Sequence, residues 1–244
     1  MSLDVLYVNW NRSAFTTFSF EMLIENTDWR KVRHLVIHDD DSTDGGPVFF
    51  KQWEQRLKDR GIQTVLDFGK HLGSAPAVMS NYVSSSDAEW FAKIDNDIVV
   101  PPGWLDAMLQ VLDGDPEVDC LGMEAGRGNP RKPEWDGLYR FQDGTHMGGV
   151  GLIRVSALQR LPQFAGQDGW TKLQHEYGRV RGNGWLNIGW VSPDLAVVQL
   201  DKVPFEPWMS LTDYYVEEEL GRPWGKYHPQ ADYWDWWPPE ARGA

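Results

Sequence analysis

The sequence predicts an α/β fold in which a mostly parallel sheet is flanked by helices. Three observations predict it: short apolar runs alternate with amphipathic segments, glycine or proline separates them, and polar motifs follow the apolar runs. The 244 residues suffice for one large domain with a substantial core. We therefore expect a single domain over residues 1–200, with residues 201–244 as an aromatic-rich, acidic C-terminal extension packed on it.

The first half of the chain alternates strands and helices. Residues 3–8 (LDVLYV) form an apolar run typical of a buried strand, and the polar turn after it leads into a helix that begins near Ser13. Phe50, Trp53 and Leu57 define one face of the next helix, which Gly61 closes. The further predicted elements of this half are strands at residues 34–39, 64–68 and 90–95 and a helix at residues 75–84.

The second half has a less regular pattern. Residues 125–143 are rich in glycine, proline and charged residues, which predicts a loop that is mobile or faces an acceptor. Ser156 is a candidate cap for a short helix that Pro162 stops. The other predicted elements are a helix at residues 104–112, strands at residues 118–123, 148–154 and 195–200, and a helix that follows Asp168 and ends at Gly178.

Composition excludes several classes of function. The formal net charge of −13 disfavours an extended nucleic-acid surface, which needs clustered lysine and arginine. No stretch approaches the roughly 18 apolar residues of a membrane span, and the first ten residues lack a basic signal region. Cys120 is the single cysteine and has apolar neighbours, so we expect a buried thiol in a soluble, cytoplasmic protein.

Two acidic clusters follow predicted strands. Residues 39–45 (DDDSTDG) come after the second strand, and Asp95, Asn96 and Asp97 come after the fourth. In open α/β sheets, ligands bind beyond the carboxyl ends of the strands, so both clusters are expected at one site. Paired carboxylates suit a hard divalent cation, manganese or magnesium, and such a cation can bind the diphosphate of a nucleotide that an acidic chain would otherwise repel. Taken alone, each cluster is also compatible with a solvated turn.

These motifs, in this order, resemble the family 2 glycosyltransferases with the GT-A fold. The resemblance covers about residues 3–200. It rests on the motifs NWNR at residues 9–12, DDDSTDG at residues 39–45, HLGSA at residues 71–75, DND at residues 95–97, GGVGLIR at residues 148–154 and QD at residues 167–168. It implies an enzyme that transfers a sugar from a nucleoside-diphosphate donor, expected to be a UDP-sugar, to a hydroxyl group of a glycan, a protein or a small molecule.

The resemblance also implies roles for residues of this chain. It places the nucleotide and donor sugar against Asn9, Asn11, Arg12, Asp39, Asp40, Gly73, Asn81, Asp95 and Asn96. Asp97, with Asp95, is expected to hold the cation. Relatives place a histidine after the last strand to complete the metal shell, and here the candidates for that ligand are Asp201, His146 and His228.

Asp168 is the expected catalytic base. Inverting relatives have a Glu-Asp pair before a helix, and this chain has Gln167 and Asp168 there. Asp168 would remove the proton of the acceptor hydroxyl as its oxygen attacks the anomeric carbon, which inverts that centre. Its alternative role is an N-cap. Gln167, Trp170 and Gly149 are the expected acceptor contacts.

Two other functions stay open. A GT-A-like domain without turnover would bind a nucleotide-sugar or carbohydrate, and the Gln167 substitution and the missing histidine are compatible with that. A nucleotidyltransferase also uses carboxylate-bound magnesium, but the turn at residues 9–12 lacks the glycines of a triphosphate loop.

Overall fold

The structure, a computed structural model, describes residues 1–69, 71–73, 75–123, 136–144, 147–159, 186–193 and 197–200. Its strands are β1 (Leu3–Asn9), β2 (His34–Asp39), β3 (Thr64–Phe68), β4 (Trp90–Asp95), β5 (Ile98–Val99), β6 (Cys120–Met123), β7 (Arg140–Asp143), β8 (Val150–Arg154), β9 (Ile188–Ser192) and β10 (Val198–Gln199). Its helices are α1 (Ser13–Asn26), α2 (Gly46–Asp59), α3 (Ala75–Ser85), α4 (Trp104–Gly114) and α5 (Val155–Gln159), with a 3-10 turn at Trp29–Lys31.

Eight of these strands form one sheet in the order β3-β2-β1-β4-β8-β6-β9-β7. The half that contains β3, β2, β1 and β4 is entirely parallel. In the other half, β8 runs antiparallel to both β4 and β6, β9 is parallel to β6, and β7 is antiparallel to β9. β5 and β10 form a separate antiparallel pair.

Hydrophobic residues cover both faces of the sheet. Side chains alternate along a strand, so Val5 and Tyr7 of β1 pack on the face covered by α1, α2 and α4. Leu6 and Val8 pack on the opposite face with residues of α3 and α5. This arrangement confirms the predicted α/β class with helices on both faces.

The predicted elements between residues 3 and 123 are confirmed with small differences. β2, β3 and β4 have the predicted bounds, while β1 is one residue longer and α4 two residues longer. The fifth predicted strand begins two residues later, at Cys120, which is fully buried as expected. No helix within the described ranges is long and apolar enough to cross a membrane.

Two predictions for the second half need correction, and one strand was missed. Residues 140–143 were predicted as loop but form β7, whose largely exposed side chains hide the strand pattern. Ser156 does not cap a helix, because α5 begins at Val155 directly after β8 and Ser156 lies inside it. β9 was not predicted at all. The predicted helix after Asp168 and the extension from residue 201 lie outside the described residues.

Candidate active site

A cavity of about 240 Å³ opens at the edge of the sheet where β1, β2 and β4 end. The three strands are parallel, so the residues that follow them meet at one edge. The predicted site residues that line the cavity are Arg12, Asp40, Gly73, Asp95, Asn96 and Asp97. The structure therefore brings both acidic clusters to one place.

Asn96 connects the ends of β4 and β1. Its buried side-chain amide donates to Asn9 Oδ1 (3.0 Å), to the backbone oxygen of Asn11 (2.9 Å) and to Thr16 Oγ1 (3.1 Å). Its own backbone oxygen accepts from Ser19 Oγ (2.8 Å). These contacts fix the backbone between Asp95 and Asp97 relative to β1 and α1.

Asp39 organises the turn that follows β2. Its Oδ2 accepts from Asn9 Nδ2 (2.6 Å), and its Oδ1 accepts from the backbone nitrogen of Ser42 (2.9 Å). A Cβ at Gly46 would lie 2.8 Å from Asn9 Nδ2 and 3.1 Å from Asp39 Oδ2, so α2 starts in close contact with this pair. Asp39 thus forms the turn that was its alternative role, and its contact with a nucleotide stays a prediction.

Asn11 and Arg12 are both in the left-handed backbone region, with φ of 50° and 61°. This backbone conformation is unfavourable for residues other than glycine, and it persists only where surrounding contacts stabilise it. Asn11 is held by its backbone nitrogen, which donates to Ser42 Oγ (2.8 Å), and by Thr43, whose nitrogen donates to Asn11 Oδ1 (2.9 Å). The distorted turn directs the guanidinium of Arg12 to Asp97, with Nη1 3.1 Å from Oδ2.

Two ion pairs lie at this edge of the sheet: Lys93 with Asp95 and Arg12 with Asp97. Lys93 is buried in β4 on the same strand face as Asp95, and its Nζ bonds the Asp95 carboxylate. Burial raises the pKa of Asp95; the ion pair with Lys93 opposes this rise and the charge of Asp97 adds to it. The side chains of Asp95 and Asp97 are 31% and 11% exposed, so both can reach a ligand.

The donor set at this position suits a magnesium or manganese ion. Such ions take hard oxygen ligands, commonly one or two carboxylates together with phosphate oxygens of the substrate. Asp95 and Asp97 supply two carboxylates that line the same cavity. This pair fits an ion whose remaining ligands are phosphate oxygens of a substrate. Within the described part of the chain, no group of three or more His, Cys, Asp or Glu residues could hold a metal ion.

An aromatic pair forms one rim of the cavity. Trp10 is 47% exposed, and its ring lies against that of His71, with the centroids 5.2 Å apart and the planes tilted by 31°. Both residues line the cavity. An exposed indole beside a polar cavity offers a surface on which a flat ring can stack.

Gly149 lies next to Asp95, at the start of β8. Its backbone oxygen accepts from the Asp95 nitrogen (3.4 Å). A Cβ at Gly149 would come within 2.4 Å of Ile98 Cδ1 and 3.7 Å of Asp95 Oδ2. A side chain at this point would displace the buried Ile98, and the acceptor contact of Gly149 stays a prediction.

Asn81 is the described candidate that lies apart from this group. It is exposed on α3 and lines a different cavity, of about 440 Å³, together with Asp4, Arg33 and Tyr82. The remaining candidates lie outside the described residues: Asp168, Gln167, Trp170, Asp201, His146 and His228. Their roles stay predictions.

The sequence reasoning assigned no role to Trp10, His38, His71 or Lys93. Lys93 had a readable signal, because a lysine inside an apolar strand, two residues before a carboxylate, faces the same way as that carboxylate. The sequence signal for His38 is weaker: this histidine directly precedes the acidic cluster. Trp10 and His71 are 61 positions apart, and nothing in the sequence alone indicates that their rings meet.

Known structures share this fold. TarS of S. aureus (residues 1–349) has a TM-score of 0.58 and 13% identity, and the match covers 89% of this chain and 66% of that one. GalNAc-T7 has a TM-score of 0.58 and 11% identity over 81% and 43% of the two chains. The mannosyltransferase PcManGT from Pyrobaculum calidifontis has a TM-score of 0.52 and 16% identity over 77% and 56%. This chain thus spans about two thirds of the TarS fragment and less of the other two.

The sheet order, the flanking helices and these likenesses define the GT-A fold of glycosyltransferases. The model of the family described as glycosyl transferase family 2 matches residues 4–169, which is more than half of the chain. The chain belongs to that family, as the sequence motifs predict. No curated protein matches the sequence.

Proposed function

We propose that this protein transfers a sugar from a nucleoside-diphosphate donor to a hydroxyl acceptor, and that the donor is a UDP-sugar. The observation that carries the proposal is the convergence of an exposed aromatic ring, a guanidinium and two carboxylates in one cavity, supplied by Trp10, Arg12, Asp95 and Asp97. Family membership supports the same reaction class.

Each part of the cavity suits one part of the donor. The exposed face of Trp10 offers stacking to the base. Arg12 places a positive charge where the diphosphate would bind. Helix α3 begins at Ala75, which also lines the cavity, so the partial positive charge at the amino end of α3 would attract the diphosphate as well. Arg12 and Lys93 also offset the acidity that would repel a phosphate.

Asp95 and Asp97 would hold a manganese or magnesium ion beside the diphosphate. When bound, such an ion stabilises the negative charge that builds on the departing nucleoside diphosphate. The arginine beside Asp97 can turn to a phosphate oxygen once the carboxylate has another positive partner. Asp201, His146 and His228 remain the candidates for a further ligand.

Asp168 is the proposed base that takes the proton of the acceptor hydroxyl, and the product is expected to have the inverted anomeric configuration. Gln167, Trp170 and Gly149 are the proposed acceptor contacts. Gly149 supports this assignment because it lies beside Asp95, where the sugar of the donor would end.

The fold relatives supply further support for a nucleotide-sugar and a cation. TarS has been solved with UDP-GlcNAc and with UDP. PcManGT has been solved with GDP-Man and Mn²⁺, and GalNAc-T7 with UDP, GalNAc and Mn²⁺. These ligands suggest UDP- and GDP-sugars with manganese as the first to test.

The test is to incubate the protein with UDP-, GDP- and dTDP-sugars and manganese and to measure the nucleoside diphosphate released. We expect release from one donor that stops on chelation and falls at least 100-fold in Asp97→Asn, because the variant lacks one of the two proposed carboxylate ligands. Asp168→Asn should bind the donor but turn it over slowly. Asp113→Asn, which alters an exposed carboxylate on α4, is the matched control.

Each result separates the hypotheses. Donor binding without release, in the presence of a range of hydroxyl acceptors, would favour a binding module. Release of pyrophosphate from a nucleoside triphosphate would favour a nucleotidyltransferase. A product with the anomeric configuration of the donor, seen by NMR, would contradict the inverting mechanism.

A further inference from the structure

A groove runs along β2 on the face of the sheet that carries α3 and α5. It is the cavity of about 440 Å³ that Asn81 lines. His34, Val36 and His38 alternate along β2 and therefore share this face, so the groove follows the strand for about 13 Å. The cavity of the candidate active site lies elsewhere, beyond the carboxyl ends of the strands.

The floor of the groove is apolar and only partly covered. Leu6 of β1 and Val78 of α3 are buried beside it, but Val36 is half-buried and Val65 of β3 is 48% exposed. On the opposite face of the sheet, α2 packs on β3. Strands of a parallel sheet are normally covered on both faces, so Val36 and Val65 mark a surface where a cover is expected.

The rim of the groove offers hydrogen-bond acceptors. Asp67 lies toward its carboxyl end and Asp87 toward its amino end, and their side chains are 44% and 88% exposed. One oxygen of Asp67 contacts His38, and one oxygen of Asp87 accepts from Arg33. A carboxylate has about four acceptor positions, so each can also accept from a partner. The groove therefore fits a partner with apolar surface and N–H or O–H donors, and it disfavours an acidic one.

Residues 233–237 (YWDWW) have this chemistry. Apart from Asp235, each residue of this segment combines a large apolar ring with one O–H or N–H donor. The acidic run at residues 217–219 (EEE) would instead be repelled by Asp67 and Asp87. Within the C-terminal extension, the aromatic segment is thus the better match to the groove.

The chain is long enough to bring this segment to the groove. Leu200, the last described residue, donates its backbone N–H to the Asp97 oxygen (2.7 Å) at the carboxyl edge of the sheet. The His38 and Asp67 pair lies at the end of the groove nearest to that edge. β2 is two strands away from β4, or roughly 10 Å, whereas residues 201–232 span roughly 100 Å when extended.

We propose that residues 233–237 dock in the groove along β2 and complete the cover of β2 and β3. Their rings pack on Val36 and Val65, and their donors meet the acceptors of the rim. The contact lies within one chain, and it does not depend on the reaction proposed above.

The test uses the full chain with a nitroxide label, which broadens the NMR signals of nearby protons. Ser85→Cys places the label on an exposed position of α3 at the rim of the groove. Asp113→Cys, at an exposed position of α4 on the opposite face, is the matched control. Cys120 is buried, so the label should attach only to the introduced cysteine.

We expect the label at residue 85 to broaden the indole N–H signals of Trp234, Trp236 and Trp237, and the label at residue 113 to leave them sharp. Replacing each tryptophan in turn by phenylalanine assigns the three signals.

Val65→Asp should abolish the broadening by the label at residue 85, because it places a carboxylate on the floor of the groove. It should also speed chymotrypsin cleavage within residues 233–237 by about 5- to 30-fold, since proteolysis follows the undocked population. Val48→Asp changes a valine that is 59% exposed on α2 and should alter neither result.

Three results would overturn the proposal. Sharp indole signals with the label at residue 85 would show that the segment does not dock in this groove. Broadening by the label at residue 113 alone would place the segment on the other face. Broadening that appears only between chains, in a mixture of labelled protein and isotope-enriched unlabelled protein, would show that a second copy fills the groove. If Val65→Asp does not fold, the comparison of the two labels still decides.

Discussion

The side-chain amide of Asn96 donates to Asn9 Oδ1 across 3.0 Å, which ties the carboxyl end of β4 to that of β1. Asn9 in turn donates to Asp39 at the end of β2. Three parallel strands are thus joined by side chains at the edge where backbone pairing ends. The acidic residues of the cavity are attached to this buried polar framework.

Asn96→Asp should lower the free energy of unfolding by about 2–4 kcal/mol, because a carboxylate cannot donate to the three oxygens that Asn96 now contacts. Urea denaturation measures the loss. Asn81→Asp, at an exposed asparagine on α3, is the control and should stay within about 0.5 kcal/mol of the wild type. Equal stability of the two variants would mean that the Asn96 contacts contribute nothing.

Arg12→Gln should bind manganese more tightly than the wild type when no donor is present. The substitution removes a positive charge 3.1 Å from Asp97, and unit charges near 4 Å interact by about 1 kcal/mol in water, or roughly fivefold in affinity. The same variant should bind a nucleoside diphosphate more weakly. Calorimetric titration with manganese alone, then with UDP added, measures both effects.

The control for this prediction is Arg30→Gln, at an exposed arginine whose carboxylate partner is Asp28. It should leave both affinities unchanged. Weaker manganese binding by Arg12→Gln than by the wild type would contradict the prediction, since it would show that the arginine supports the ion rather than competing with it.

Trp10→Ala should raise the Kd for the nucleoside diphosphate by about 5- to 150-fold. Stacking of a base on an aromatic side chain contributes about 1–3 kcal/mol, and the exposed indole of Trp10 is the surface available at the cavity rim. Fluorescence or calorimetric titration measures the change. Trp10→Phe, which keeps an aromatic face, should recover most of the affinity, and an unchanged Kd in Trp10→Ala would place the base elsewhere.

Asp4→Asn should destabilise the fold in a pH-dependent manner. Asp4 is buried at the start of β1 and accepts from Arg33 Nε (2.9 Å), Arg33 Nη2 (2.8 Å) and the Tyr82 hydroxyl (2.6 Å). Burial opposes ionisation, but these hydrogen bonds outweigh it and hold the pKa of Asp4 below its ordinary value. At pH 7 we expect a loss of about 2–4 kcal/mol in the free energy of unfolding.

The sign of the pH effect follows from the depressed pKa. Such a carboxyl stabilises the fold above the unfolded-state pKa of about 4, and this contribution disappears as the pH falls through the lower folded-state pKa. The difference between wild type and Asp4→Asn should therefore be present at pH 5 and shrink below about pH 4. Urea denaturation at several pH values measures it, and a constant difference down to pH 3 would contradict the assignment.

The centre of the parallel half could be predicted because β1 and β4 are buried on both faces. Both strands therefore appear as largely apolar runs, and their ends mark the site. β7 could not be predicted in the same way. Its residues are largely exposed, and it pairs with β9, which is remote in sequence.

The grouping of the site residues was predictable, but their partners were not. Parallel topology alone brings Asp40 and Asp97 to one edge. It does not reveal that Asp40 accepts from backbone groups 32 and 33 positions away, or that Asp97 pairs with an arginine 85 positions earlier. Such contacts depend on loop geometry and rotamers, which a single sequence does not encode in any local pattern.

The reversal of β8 brings a second stretch of chain to the edge of the sheet where the cavity lies. Because β8 runs antiparallel to β4, its first residues arrive at the edge where β1, β2 and β4 end, and Gly149 reaches Asp95 from that side. The link between β7 and β8 can therefore change in length without shifting the register of β1, β2, β3 or β4.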